Sequence, residues 1–338
     1  MNQLSQIAEV ARGLCGGSVG ALEEIQGAGN HRVYRVDGGN GSRFALKTYF
    51  AGGADGNQRL SAEFAGLTYM WGEGMRSIPQ PMAADRNAQC ALFGWIDGDP
   101  VSVPTPADID AAGDFVQALR NLARLEGAAE LPLAREACLS PDEVHRQIVA
   151  RRARLSREAA FRTDLAVFLQ DSFDNTLHAT WARAQRGFAA AGISRSANLP
   201  ERLRTLSPSD FGFHNAVRSA DGALVFCDFE YFGWDDPVKL VADFVVHPGM
   251  ALDANLAARF EEKTMAIFAD DPTFGARLNL LKPLYALRWA LIVLNEFIPE
   301  RWAQRAFAHG ERNRNEVLVR QLGKAKDFVS RVQKEIAA

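Results

Sequence analysis

Residues 207–215 read SPSDFGFHN, and residues 225–230 read VFCDFE. Asp210 precedes Asn215 by five residues, and Asp228 follows Asn215 by 13 residues at the end of an apolar, strand-like segment. Phosphoryl transfer needs a carboxylate near the acceptor hydroxyl, and it needs an amide oxygen and a second carboxylate that hold magnesium on the nucleotide phosphates. The spacing favours a catalytic loop followed by a metal-binding strand end. Asp and Asn are also common turn residues, so the segment alone leaves a purely structural interpretation open.

The chain before residue 98 is composed of short β-branched and aromatic runs separated by glycines, which predicts a small, mainly antiparallel sheet. One amphipathic helix is predicted within it, over residues 57–73. Lys47 lies among apolar residues of a predicted strand, where an ammonium group needs anionic partners. Glu63 follows 16 residues later on the helix, where it can reach Lys47 and orient it towards the α and β phosphates of a nucleotide. Read singly, each residue is more simply explained as a solvated side chain.

A glycine-rich turn precedes the first of these strands. Gly27, Gly29 and Asn30 stand directly before the strand predicted over residues 31–36. The backbone amides of such a turn can approach phosphates closely, because glycine has no side chain. A glycine pair alone is a weak signal, since most are simple turns. The complete order of features is much less likely to occur by chance than any one of them. It consists of a glycine turn, a lysine on a strand, a glutamate on a helix, Asp with Asn, and a second Asp.

The chain after that sheet is predicted to be mainly helical. Thr105 and Ser140 are each followed by a proline and then by an acidic residue at the third helical position, which is typical of a helix start. Long helical patterns fill most of residues 142–190 and 251–338. The sequence thus predicts an α+β protein. Its two lobes are a nucleotide-binding sheet lobe, residues 1–98, and a helical lobe with the catalytic loop and acceptor site, residues 99–338.

The composition excludes several classes of protein. A chain of 338 residues with 47% hydrophobic and 23% charged residues is long enough for two lobes and is neither disordered nor fibrous. Its net charge of -3 gives no electrostatic footprint for nucleic acid or an anionic membrane. The longest apolar stretch is interrupted by polar residues, and the first residues have the pattern of an amphipathic helix rather than a signal peptide, so we expect a cytoplasmic protein. A basic cluster is most simply a solvated helix face: Arg151, Arg152, Arg154 and Arg157.

The sequence resembles the aminoglycoside phosphotransferase and choline kinase superfamily, the small-molecule relatives of protein kinases. The resemblance covers roughly residues 22–244 and is strongest over 210–215 and 227–237, where Asp with Asn is followed by DFE, a glycine and an Asp-Pro pair. Residues 92–98, LFGWIDG, look like the family's linker between its lobes. The resemblance implies a two-lobed, protein-kinase-like fold. It also implies transfer of the γ-phosphate of ATP, with Mg²⁺, to a hydroxyl of a small molecule.

Carried over position by position, the resemblance assigns roles to the matching residues. Asp210 would align the acceptor hydroxyl and accept its proton, and Asn215 and Asp228 would bind the metal. The nucleotide would be held by Gly27, Gly29, Asn30, Lys47, Glu63, Gly94 and Trp95. For the acceptor, side-chain chemistry suggests an aromatic and acidic pocket suited to an amine or a polyol. Its predicted members are Glu230, Tyr231, Trp234, Asp235 and Glu296.

Two positions depart from the family pattern. Pro208 stands where the family has a histidine two residues before the catalytic Asp, with Ser209 between them, and this raises the alternative of a nucleotide-binding pseudokinase. Arg32 replaces the third glycine of the protein-kinase phosphate loop, which disfavours a protein kinase. The charges of the two lobes are close to balanced, so the acidic surplus that a polycationic aminoglycoside favours is missing. A sugar, an amino alcohol or a related metabolite fits as acceptor, and the oligomeric state is open.

Overall fold

The N-terminal part of the molecule is an antiparallel sheet of five strands. The computed structural model describes residues 3–25, 31–39, 41–49, 55–250, 252–303 and 313–337. The strands are β1 Val19–Ile25, β2 His31–Gly38, β3 Arg43–Tyr49, β4 Pro81–Asp85 and β5 Cys90–Gly94. They pair in the order β1-β2-β3-β5-β4, and every neighbouring pair is antiparallel. The small antiparallel sheet predicted from the sequence is confirmed.

Two helices cover this sheet on its opposite faces, α1 over Gln3–Cys15 and α2 over Asp55–Gly72. Successive residues of a strand point to opposite faces of a sheet. In β3, Leu46 joins a small core with residues of α1, whereas Tyr49 joins the main core with residues of α2. Lys47 shares the face of Tyr49, so strand alternation alone directs it towards α2.

The remainder of the chain is mainly helical, as predicted. Among the described residues its α-helices include α3 Pro106–Leu122, α4 Pro141–Ala159, α5 Thr163–Val167, α6 Asp174–Ala190, α7 Pro237–Val246, α8 Ala254–Ile267, α9 Phe274–Ile292 and α10 Arg314–Ala337. Both predicted helix starts are confirmed, since Thr105 forms a capping box with Asp108 and the Ser140 hydroxyl accepts a hydrogen bond from the amide of Glu143. Among the described residues, none of the helices combines the length and the hydropathy that crossing a membrane requires.

Five short strands hold the segment between residues 205 and 235. They are β6 Gly98–Pro100, β7 Thr205–Ser207, β8 Ala216–Ser219, β9 Leu224–Phe226 and β10 Gly233–Asp235. β7 pairs with β10, and β8 lies between β6 and β9. The loop 208–215 leaves one small sheet and enters the other, so both of its ends are fixed. The first lobe was predicted to end at residue 98, and that residue begins β6, a strand paired with β8 of the helical part.

The main core brings α2 close to the segment that follows β9. A Cβ atom added to Gly66 of α2 would stand 2.3 Å from the ring of Phe232. Only a residue without a side chain fits there, so the glycine permits the helix to approach this ring directly. Phe232 and Phe229 are both fully buried, and their rings lie 6.1 Å apart. The packing fixes α2 next to Asp228.

Candidate active site

Lys47 is the centre of a buried ion-pair network between β3, α2 and the segment after β9. Its Nζ lies 2.7 Å from Oε2 of Glu63 and 2.6 Å from Oδ1 of Asp228. The side chain of Lys47 is 6% exposed and that of Glu63 is 3% exposed, so these charges rely on each other rather than on water. The structure thus brings together three residues that were predicted to share a nucleotide and metal site.

Glu63 connects this network to the backbone beyond Asp228. The hydroxyl of Tyr49 donates to Oε2 of Glu63 at 2.6 Å, and the backbone N–H of Phe229 donates to Oε1 at 3.1 Å. Sequence reasoning missed Tyr49, although it follows Lys47 by two residues and therefore shares its strand face. Both carboxylate oxygens of Glu63 accept hydrogen bonds, so α2 is held in a fixed position relative to the segment that contains Asp228.

The charges around Lys47 are unbalanced towards the acidic side. Burial alone would lower the pKa of Lys47, but the carboxylates of Asp228, Glu63 and Glu230 raise it above its ordinary value. Burial raises the pKa of Asp228, and the like charges of Glu230 and Glu63 add to this effect in spite of Lys47. The ammonium therefore persists, and the ionised form of Asp228 would be stabilised by a further cation.

Glu230, which was predicted to bind the acceptor, belongs to this network. Its Oε2 lies 3.6 Å from Nδ1 of His31 and 3.5 Å from a guanidinium nitrogen of Arg59. Burial would raise the pKa of Glu230, but His31, Lys47 and Arg59 lower it to about 2. His31 also lies 4.0 Å from the carboxylate of Asp228. Neither His31 nor Arg59 carries a local signal for this role, because their partners follow more than 160 positions later in the chain.

Asp210 follows β7 in the loop 208–215 and is held by two histidines. Its Oδ1 lies 3.1 Å from Nε2 of His214 and 3.3 Å from Nε2 of His247. Burial would raise the pKa of Asp210, yet its interactions with the two histidines keep that pKa well below the ordinary value. Among the described residues no side chain or amide donates a hydrogen bond to Oδ2, so this oxygen is left for a ligand.

His247 directly follows α7 and is built into the site on several sides. Its ring stacks on that of His214 at a centroid distance of 3.8 Å and meets Trp289 edge-on at 4.3 Å. The backbone N–H of Gly249 donates to Nδ1 at 3.0 Å, which leaves the proton of the neutral ring on Nε2, beside Asp210. Burial lowers the pKa of His247 and so favours that neutral form.

Asn215 connects the end of the loop 208–215 to Asp210 near its start. The side-chain Nδ2 of Asn215 donates to the backbone carbonyl of Asp210 at 3.0 Å. The backbone carbonyl of Asn215 accepts a hydrogen bond from the amide of Cys227 at 2.7 Å. Cys227 directly precedes Asp228, so one backbone hydrogen bond ties the two predicted metal ligands together. Asp228 has a φ of 66°, a left-handed conformation that Asp and Asn adopt more readily than most residues.

Side chains of the loop 208–215 and of the segment after β9 line one cavity of about 500 Å³, the active-site cavity, which Lys47 and Glu63 do not line. From the predicted set it includes Asp210, Asn215, Asp228, Glu230, Tyr231 and Glu296. Trp234 and Asp235, which were also predicted to bind the acceptor, do not line it. The indole N–H of Trp234 donates to the carbonyl of Ala128 at 2.9 Å, and Asp235 is fully buried with its carboxylate 3.0 Å from Nζ of Lys239. Both residues of β10 hold neighbouring elements in place.

The other predicted nucleotide-binding residues are only partly described. Those outside the described residues are Gly27, Gly29 and Asn30. The amide of Gly94 donates to the carbonyl of Gln80 at 2.8 Å, and the amide of Trp95 donates to that of Arg43 at 3.2 Å. The linker is therefore fastened to the sheet, and the contacts of Gly94 and Trp95 with adenine stay a prediction.

The sheet with its lysine–glutamate pair, and the helical part with its Asp, Asn and Asp, together define a two-lobed, protein-kinase-like molecule. A choline kinase from Streptococcus pneumoniae superposes with a TM-score of 0.61 at 15% identity, covering 98% of this chain and 100% of that one. A spectinomycin phosphotransferase in complex with ADP and spectinomycin gives 0.64 at 10% identity, covering 98% of each chain. An ethanolamine kinase from Plasmodium vivax gives 0.57 at 11% identity, covering 92% of this chain and 82% of that one. The predicted fold class is confirmed.

A sequence profile gives the family itself. The profile of the phosphotransferase enzyme family matches residues 21–273, about three quarters of the chain. The chain therefore belongs to this family, and the resemblance stated from its motifs is confirmed. A comparison with curated protein sequences finds no match.

Proposed function

We propose that this phosphotransferase moves the γ-phosphate of ATP to a hydroxyl group of a small molecule, in the cytoplasm and without a nucleic-acid partner. The observation that carries the proposal is the convergence of Asp210, Asn215 and Asp228 on one cavity, with Lys47 only 2.6 Å from Asp228. A group that aligns the acceptor, two metal ligands and a phosphate-binding cation are the parts that phosphoryl transfer requires. The ADP in the spectinomycin phosphotransferase supports the choice of an adenine nucleotide.

Lys47 would hold the α and β phosphates. A nucleotide would replace Asp228 as a partner of Lys47, while Glu63 would stay in place because Tyr49 and the amide of Phe229 anchor it independently. A cation that is already oriented needs little reorganisation when the phosphates arrive, and this preorganisation is what makes electrostatic stabilisation effective.

The residues around Lys47 fit Mg²⁺. Glu63, Asp228 and Glu230 form an acidic excess there; burial raises the pKa of Asp228, and the two other carboxylates add to that effect. Asn215 and Asp228 would be the ligands, since amide and carboxylate oxygens suit this ion. Held by these two side chains, Mg²⁺ would supply positive charge next to the phosphates.

Asp210 would orient the acceptor. Its Oδ2 would accept a hydrogen bond from the acceptor hydroxyl, while His214 and His247 keep Oδ1 engaged. A bond forms from the hydroxyl oxygen to the γ-phosphorus, the bond from that phosphorus to the β,γ-bridging oxygen breaks, and ADP leaves. The hydroxyl proton passes to Asp210. A carboxylate with so low a pKa is a weak base, so alignment contributes more than proton abstraction, as expected for a loose transition state.

The two histidines also bear on the pseudokinase alternative. Pro208 removes the histidine that the family carries before the catalytic Asp, but Asp210 has His214 and His247 as partners in this structure. A carboxylate that is held by one oxygen and open at the other favours turnover over nucleotide binding alone.

The test is transfer of labelled γ-phosphate from ATP, with Mg²⁺, to a panel of hydroxylated sugars, amino alcohols and hydroxy acids, with ADP formation measured in parallel. We expect Asp210→Asn to lower kcat by about a hundredfold or more, while ADP binding is retained. Transfer by Asp210→Asn at the wild-type rate would reject the role of Asp210. Nucleotide binding by the wild type without any ADP formation would instead support a pseudokinase.

A further inference from the structure

A second cavity, of about 550 Å³, adjoins the active-site cavity. Arg135 and Arg301 line both, so the two spaces meet at these two residues. The second one, named the arginine cavity, is completed by Arg154, Arg157, Glu158, Ile298 and Glu300. It therefore continues the acceptor side of the active site along α4.

The wall of the arginine cavity has a net positive charge. Its lining includes four arginines and two glutamates, although the whole chain has a net charge of -3. Arg154 and Arg157 are three residues apart on α4, so their side chains share one side of the helix. Within the part of the chain that the structure describes, neither forms an ion pair. The prediction of a solvated basic face on α4 therefore misses that these two residues line a cavity beside the active site.

The acidic side chains on the acceptor side of the active-site cavity are already matched by cations. Glu136 contacts Arg151 and lies 2.7 Å from Arg288. Asp243 lies 3.6 Å from Lys239 and 3.7 Å from Arg288. A cationic acceptor would therefore have to compete with the protein's own cations for these two carboxylates.

The cations in this region repel one another. Burial lowers the pKa of Arg151, and the like charges of Arg288 and Arg154 add to that lowering in spite of Glu136. An anion placed among them would relieve the repulsion. Guanidinium groups match the geometry of carboxylate and phosphate oxygens, with two parallel hydrogen bonds to each.

We propose that the acceptor carries an anionic oxygen group, a carboxylate or a phosphate, and that the arginine cavity binds this group while the acceptor hydroxyl lies at Asp210. The inference rests on the proposed function, because it names the acceptor class for the same site. It replaces the expectation of an amine or a polyol in an acidic pocket. Glu230 is engaged by His31 and Arg59, and the predicted residue Glu296 is buried and accepts a hydrogen bond from a glutamine.

The test is equilibrium binding of two small anions to the ADP-bound protein, in which ADP fills the nucleotide site. Inorganic phosphate and acetate are titrated separately by calorimetry at low ionic strength, which distinguishes a phosphate from a carboxylate. We expect at least one of them to bind. The double variant Arg154→Gln/Arg157→Gln should weaken that binding about tenfold or more, because charge-assisted hydrogen bonds are lost.

The matched control is Arg146→Gln/Arg183→Gln. It removes the same charge from two exposed residues on α4 and α6 that line neither cavity, and it should leave the anion affinity within about twofold. Melting temperatures of all variants are measured, and the single variant Arg157→Gln, at an exposed residue, replaces the double variant if that one unfolds early.

Two results would overturn the proposal. One is that neither anion binds to the ADP complex, and the other is that the Arg154→Gln/Arg157→Gln variant binds as tightly as the wild type. Failure of ADP itself to bind is a separate result, which overturns the proposed function and this inference with it.

Discussion

Replacing His247 by phenylalanine removes the polar contacts of this ring and keeps its aromatic packing. Phenylalanine keeps an aromatic ring between His214 and Trp289. It removes the N–H group at Nε2, the nitrogen that lies 3.3 Å from Oδ1 of Asp210. It also removes Nδ1 as the acceptor for the amide of Gly249, which is solvent-exposed, so water can take that place.

The expected loss follows from the geometry of that contact. A hydrogen bond to a charged group contributes about 1.5–3 kcal/mol. Since 3.3 Å is long and His214 donates to the same oxygen, the lower end, about 1.5 kcal/mol, applies. At about 1.4 kcal/mol per factor of ten, kcat falls about tenfold. The KM for ATP should change little, because Lys47 and Asp228 are untouched.

The assay is steady-state phosphorylation of the best acceptor, with kcat and both KM values measured across pH. His247→Gln places an amide N–H near the position of Nε2 and should recover most of kcat. Burial holds the pKa of His247 below its ordinary value, so the ratio of wild-type to His247→Phe kcat should be constant above about pH 6.5.

The control is His145→Phe, since the ring of His145 stacks on Trp181 at 4.5 Å and lines neither cavity. That variant should retain wild-type kcat. The assigned role of His247 is refuted if His247→Phe melts and turns over like the wild type, or if His247→Gln is no faster than His247→Phe.

Further predictions concern affinity and stability. Lys47→Met should raise the Kd for ADP about tenfold or more and lower the melting temperature, because three carboxylates lose their central cation; unchanged affinity in calorimetry would remove Lys47 from the nucleotide site. Gly66→Ala should destabilise the protein in urea by about 1–3 kcal/mol, because its Cβ would stand 2.3 Å from Phe232, whereas Gly72→Ala on the same helix meets nothing within 4 Å and should be neutral or stabilising. Equal stability of these two variants would contradict the packing of α2. The folded-state pKa of about 2 for Glu230 is below its ordinary value, so this group stabilises the fold above about pH 4.5, and that contribution is lost as the pH falls towards 2. In urea unfolding at several acidic pH values, the free energy of unfolding should fall less steeply with decreasing pH for Glu230→Gln than for the wild type. An identical fall in both proteins would show that Glu230 is not responsible for the acid sensitivity.

The parts of the site that were predictable from the sequence are those fixed by local periodicity. Lys47 stands on a strand whose alternation sets its direction, and Glu63 stands on α2, the helix predicted between the strands of the sheet lobe, so their meeting follows from element types and order. The spacing of Asp210 and Asn215 lies within one loop, and it is readable for the same reason.

The parts that were not predictable depend on contacts between distant elements. His247 reaches Asp210 only because α7 ends beside the catalytic loop, and the sequence around it signals no more than a helix end. Trp234 and Asp235 occupy a three-residue strand, too short for any period to show which side is buried. Arg154 is one member of a basic helix face in the sequence, and only the position of α4 beside the active site distinguishes it from a solvated arginine.

The backbone conformation at Asp228 restricts which amino acids this position can take. A φ of 66° suits glycine, asparagine and aspartate, and among these only aspartate brings a negative charge to Lys47. Given the proposed role of Asp228 as a metal ligand, we expect its exchange for asparagine or glycine to relieve the crowding of like charges and raise the melting point while ending catalysis. Selection for thermal stability alone would therefore favour inactive variants at position 228. Engineering of this protein has to measure turnover together with stability.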